Sequence, residues 1–85
     1  METFEIIYKG KVVQWGKFRS WRSAAELYFC KFTKTKRKKT DYFVRCLNLS
    51  EERTYSLIKR DVKTQIETEI DQVTINLLNP TLQGE

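Results

Sequence analysis

At 85 residues, 40% of them apolar and 13% aromatic with only three Gly and one Pro, the chain is long enough for one domain and too apolar for a disordered one. It has no run of about 18 apolar residues to cross a membrane, and Met1-Glu2-Thr3-Phe4 lacks the charged start and apolar core of a signal peptide; a soluble cytoplasmic protein is expected, nuclear in a eukaryote. The net charge of +5 divides unevenly, twelve Lys or Arg against four acids in residues 1–49 (+8) and four against seven in residues 50–85 (−3), so a fold that packs the acidic second half behind the first is expected to present one basic face, which suits a polyanionic partner.

Residues 3–8, Thr-Phe-Glu-Ile-Ile-Tyr, have the β-propensity of a strand, Lys9-Gly10-Lys11 supplies a turn, and Val12-Val13-Gln14-Trp15 resumes the extended pattern until Gly16 ends or bulges it. From Trp15 to Arg22, rings and cations alternate: Trp15, Lys17, Phe18, Arg19, Trp21, Arg22. Rings stack on bases and cations neutralise phosphates, the pairing that single-strand binders use. Trp15 is expected in the core, while for Phe18 and Trp21 core packing and base stacking both stay open.

Ser23-Ala24-Ala25-Glu26 has the form of a capping box, but residues 28–32, Tyr-Phe-Cys-Lys-Phe, are rich in strand formers, and a strand over about 26–32 is expected. It would pair with residues 42–47, Tyr-Phe-Val-Arg-Cys-Leu, as a second hairpin. Tyr28, Cys30 and Phe32 would share one face with Tyr42, Val44 and Cys46, and Leu27, Phe29 and Lys31 the other with Phe43, Arg45 and Leu47, by the two-residue period of strands; which face lies inward is open. Five of the six residues 34–39 are basic, so the tip of this hairpin would project Lys34, Lys36, Arg37, Lys38 and Lys39 into solvent. Lys36-Arg37-Lys38-Lys39 also has the form of a nuclear import signal.

Ser50 followed by Glu51-Glu52 has the chemistry of a helix start. Tyr55, Ile58, Val62, Ile66, Ile70, Val73 and Leu77 recur at spacings of three and four and fall within an arc of about 120° at 100° per residue. A helix over residues 51–79 would be about 43 Å long, more than one small domain covers, so either its second half packs on a second copy or residues 73–78 break away as a strand. The two-fold homodimer through this helix is the expectation. Asn79-Pro80 ends the element and residues 80–85 fray. The expected fold is α+β: one domain over residues 1–79, a four-stranded antiparallel sheet of two hairpins backed by one long amphipathic C-terminal helix.

The chain has no His, no Gly-rich phosphate loop and no Ser or Cys beside a plausible base, and Glu67, Glu69 and Asp71 would diverge on a helix rather than share a metal. A non-enzyme without metal or cofactor is expected. Cys30 and Cys46 form no CxxC pair; reduced, buried thiols are expected, with a disulfide as the alternative.

From Tyr42 onward, the run Tyr-Phe-Val-Arg-Cys-Leu-Asn-Leu-Ser-Glu-Glu-Arg-Thr-Tyr-Ser-Leu-Ile-Lys resembles the last strand and helix start of the positive-cofactor-four family of transcriptional coactivators, over about 20 of the 85 residues. The resemblance implies a dimer that binds single-stranded DNA on a curved β-surface, with Lys31, Arg45 and the basic tip in contact. The front half does not align with that family's strands, and the helix runs on further. The leading reading is a non-catalytic protein that binds single-stranded DNA or RNA in preference to duplex, through residues 34–39 with Lys17, Arg19, Arg22, Lys31 and Arg45, and with Trp21 and Phe18 as stacking rings. The alternative is a virus- or phage-type inhibitor or adaptor that sets its basic face against an acidic protein surface.

Overall fold

A computed structural model describes residues 1–35 and 38–78. Five strands, β1 (Glu2–Tyr8), β2 (Lys11–Phe18), β3 (Thr40–Cys46), β4 (Glu52–Asp61) and β5 (Glu67–Leu78), form one antiparallel sheet in the order β2-β1-β5-β4-β3, and two short helices, α1 (Trp21–Tyr28) and α2 (Cys30–Thr33), lie on one of its faces. This corrects the expected four strands and long C-terminal helix.

The first hairpin forms as its sequence predicts, except that Gly16 neither ends nor bulges it: β2 runs on through Gly16, paired with Phe4, to Phe18. Lys9 and Gly10 both take positive φ, 53° and 80°, which gives the two-residue turn the twist that adjoining strands need. Phe4 and Ile6 alternate inward and are fully buried. An irregularity between Ile6 and Ile7 shifts the register with β2, so Val12, Trp15 and Lys17 stand opposite Ile7, Glu5 and Thr3 on the face away from the helices.

The chain then turns helical where a strand was expected. Ser20 caps α1, its Oγ accepting from the Ser23 N–H at 3.1 Å, and Ala24 and Ala25, both fully buried, let the helix settle close on the sheet. Phe29 is buried between the two helices, and the Thr33 hydroxyl donates to the Glu26 carbonyl at 2.9 Å, folding α2 back on α1. Tyr28 reaches the core from a helix against Tyr8, and Phe32 does so against Tyr42. Tyr42, Val44 and Cys46 do face inward, but the helices cover them; residues 27–47 are not a hairpin.

The expected C-terminal helix is replaced by a second hairpin. At its turn Asp61 Oδ1 accepts the N–H groups of Lys63 and Thr64 at 2.9 and 2.8 Å, and Gln65 takes a φ of 65°. Leu57 and Ile75, absent from the helical stripe, are fully buried, while its members Val62, Ile66 and Ile70 are 43, 64 and 44% exposed. Tyr55 and Val73 point toward the helices and Ile58 toward the opposite face, so the seven residues share no surface on which a second copy could pack. Residues 52–59, the helix start implied by the family resemblance, are strand; the proposed strand over 73–78 lies within β5.

β4 pairs with β5 from Glu67 to Asn76, whereas β1 pairs only with residues 74–78 of β5. The β1–β2 hairpin therefore lies at one end of a molecule 52 Å long and 20 Å across, and β3, β4 and the first half of β5 project as an arm toward the other. No described element covers the sheet's second face.

Candidate nucleic-acid interface

At the free end of the arm two loops meet. The Val62 N–H donates to the Lys39 carbonyl at 3.1 Å, tying the β4–β5 turn to the residues that lead into β3. Lys38, Lys39 and Lys63 surround a shallow depression floored by Asp61, Val62 and Thr64. Lys59 borders a second depression with Asp61, Thr64, Ile66 and Thr68, and Lys34 closes the end of α2. Lys34, Lys38, Lys39, Lys59 and Lys63 are all exposed, and among the described residues none is in an ion pair. Asp61 lines both depressions, and its carboxyl is already engaged by its own turn. The Thr64 N–H first, then the Lys63 N–H, the Thr64 hydroxyl and the Lys59 charge hold it below the usual carboxylate range, against a smaller upward push from desolvation.

The arginines differ. Arg22 pairs with Glu26 at 3.2 Å, and Arg45 and Arg60 flank Glu67 at 2.9 and 4.0 Å. Both of the latter guanidinium groups also lie over the Phe43 ring, at 5.4 and 4.6 Å. Arg45, expected to reach a ligand, is therefore neutralised on the open sheet face by an acid that was placed at the rear. β5 lies inside the sheet between β1 and β4, so the acids of the second half interleave with the cations instead of backing them. Glu69 accepts from Ser56 and Gln72, and Asp71 from the Tyr8 hydroxyl at 2.7 Å; each of the three acids has its own partners.

Of the other predicted site residues, Lys31 is exposed on α2, while Lys17 and Arg19 are exposed on and just after β2. Lys36 and Arg37 lie outside the described residues. Phe18 is 8% exposed against Phe4 and cannot stack on a base. Trp21 is half-buried, with Phe4 at its edge and the Arg53 guanidinium 4.3 Å over its ring. Trp15, expected in the core, is instead 63% exposed on the open face. Lys59 and Lys63 were not among the predicted residues, because only the hairpin turn at Asp61 brings them beside residues 38 and 39. The cysteines form no disulfide: Cys30 is exposed, and the half-buried Cys46 donates its S–H to the Asn48 carbonyl at 2.8 Å.

Among the described residues no helix is long and apolar enough to cross a membrane. Comparison with known proteins found no matching family model, curated protein or solved structure.

Proposed function

We propose that the chain is a non-catalytic nucleic-acid-binding protein that holds the phosphate backbone on the lysines at the end of its three-stranded arm. One observation carries this reading: Lys38, Lys39, Lys59 and Lys63 gather from two separate segments around adjoining depressions, with Lys34 exposed at the end of α2, and all five stand outside any described ion pair, while Arg45 and Arg60 are matched with glutamate. The carboxylate that lines both depressions, Asp61, is bonded to the N–H groups of its own turn and forms a described ion pair with none of these lysines, which leaves their positive charge available for phosphate neutralisation. Its lysines are point charges without planar recognition geometry, which favours contact with the backbone over reading of base edges.

The test is a titration of labelled oligonucleotides over a series of salt concentrations. Five phosphate contacts make log affinity fall against log salt with a slope of about −4. Replacing Lys38, Lys39, Lys59 and Lys63 together by Ala flattens that slope by about 3. Absence of binding at low salt, or a slope indifferent to the fourfold substitution, rules the reading out.

A further inference from the structure

A second cationic surface lies away from the arm. Strand β2 is an edge of the sheet, and residues 9–19 carry Lys9, Lys11, Lys17 and Arg19 in a stretch, residues 6–25, that contains no acid. None of these four is in an ion pair among the described residues. The strand is also unusually apolar for an edge, with Val12, Val13 and Trp15 exposed by 42, 48 and 63%. Edge strands are commonly protected by charge, and the cations at both ends of β2 do this; they do not account for an indole left in solvent between them.

Trp15 and Lys17 rise side by side on the uncovered face, opposite Glu5 and Thr3 of β1. Glu5 accepts a hydrogen bond from the Asn76 side chain at 3.3 Å, which places its carboxylate on the β1 side of the ring. The field across Trp15 is therefore graded, acid toward the sheet centre and cations along the outer edge. A strand of nucleic acid meets it favourably in one orientation, phosphates along the edge and a base turned inward over the indole. A second copy of the chain fits worse: pairing two β2 edges brings together four cations from each with no acid on either strand.

Building on the nucleic-acid reading above, we infer that the β2 edge is a base-stacking subsite for single strands, with Trp15 as the platform and Lys11, Lys17 and Arg19 neutralising the adjoining phosphates. A duplex, whose bases are already stacked on each other, cannot offer one to the ring; the surface selects unpaired DNA or RNA.

The experiment follows the tryptophan emission of the full chain at low salt during titration with oligo-dT, a DNA duplex of equal length and inorganic polyphosphate. Trp21, half-buried beneath Arg53, supplies a background that stacking does not reach. Oligo-dT is expected to quench the exposed Trp15, whereas duplex and polyphosphate bind with little quenching. Trp15→Ala lowers oligo-dT affinity by about 5- to 150-fold, the range of one lost base stack, and leaves polyphosphate affinity unchanged. Trp15→Phe, which keeps a ring, loses less. Binding of all three ligands with no quenching and no effect of Trp15→Ala overturns the stacking subsite and leaves the lysine cluster standing; so does an equal loss on duplex, or a dimer that Trp15→Ala dissociates. Failure of all three to bind overturns both readings.

Discussion

A methyl group added at Gly16 would sit 2.9 Å from two ring carbons of Phe18, closer than any carbon contact tolerates. Gly16 leaves the space in which that ring folds back along its own strand toward Phe4, and because Phe18 is buried its ring has no solvent to swing into. Gly16→Ala is expected to cost about 1–3 kcal/mol, the usual range for overpacking a core, measured by urea denaturation. In a Phe18→Leu background the cost shrinks; an equal cost in both backgrounds would show that the ring is not the obstacle. Asp61 governs a different residue-level property. Its folded-state pKa is depressed, chiefly by the Thr64 N–H, so the stability it contributes is complete above the unfolded value of about 3.9 and is lost as pH falls through the lower folded value. Asp61→Ala should therefore be less stable than the parent at pH 7, with the difference closing from about pH 4 downward. A gap that persists into strong acid would mean that the turn depends on something other than the carboxylate.

The two C-terminal strands carry the spacing of a helix without its single apolar face. Inward residues recur every second position in β4 (Tyr55, Leu57) and in β5 (Val73, Ile75), and the intervening turn together with a register shift between Leu57 and Ile58 offsets the two series. Of the seven residues at helical spacing only Tyr55, Val73 and Leu77 belong to these inward series; Ile58 lies on the other face and Val62, Ile66 and Ile70 are exposed, so the stripe traces no single surface. What separates the alternatives is which residues the stripe leaves out. Leu57 and Ile75 lie off the helical face yet are fully buried, and the segment is dense in Thr, Val and Ile, which favour extended backbone. Leu57→Ala should cost about 2–5 kcal/mol, whereas Val62→Ser and Ile66→Ser, both on the helical stripe but exposed, should each stay within about 0.5 kcal/mol. The reverse ranking in thermal or urea unfolding would restore the helix. The first hairpin and β3 were legible because a positive-φ turn and local alternation define them. α1 was half legible: the Ser-rich start was visible, but its cap is Ser20 rather than Ser23. The β-propensity of residues 28–32 outweighed it until tertiary contacts placed Tyr28 and Phe32 on helices against Tyr8 and Tyr42.

On the scale of the whole molecule, the charge run at 34–39 announced a cationic end, while the completed cluster needed topology. Lys59 and Lys63 are about 20 or more positions further along the chain and join the cluster only because the β4–β5 turn folds against Lys39. The expected front-to-back polarity was not realised, since β5 returns through the middle of the sheet and places Glu67 between Arg45 and Arg60. What results are two cationic surfaces, one at the tip of the arm and one on the β2 edge, toward opposite ends of a body 52 Å long. At the stacked spacing of about 3.4 Å per nucleotide, a strand of about 15 nucleotides spans that length. Shorter oligonucleotides occupy one surface at a time, and longer ones convert the second contact into an intramolecular step with a high effective concentration. Affinity and salt slope should therefore rise together as oligo-dT is lengthened toward about 15 nucleotides and then level off. The slope gained with length should vanish when Lys11, Lys17 and Arg19 are replaced by Ala, while the slope for a short oligonucleotide survives that change. A salt slope independent of length would mean that no strand bridges the two surfaces, and that each binds on its own.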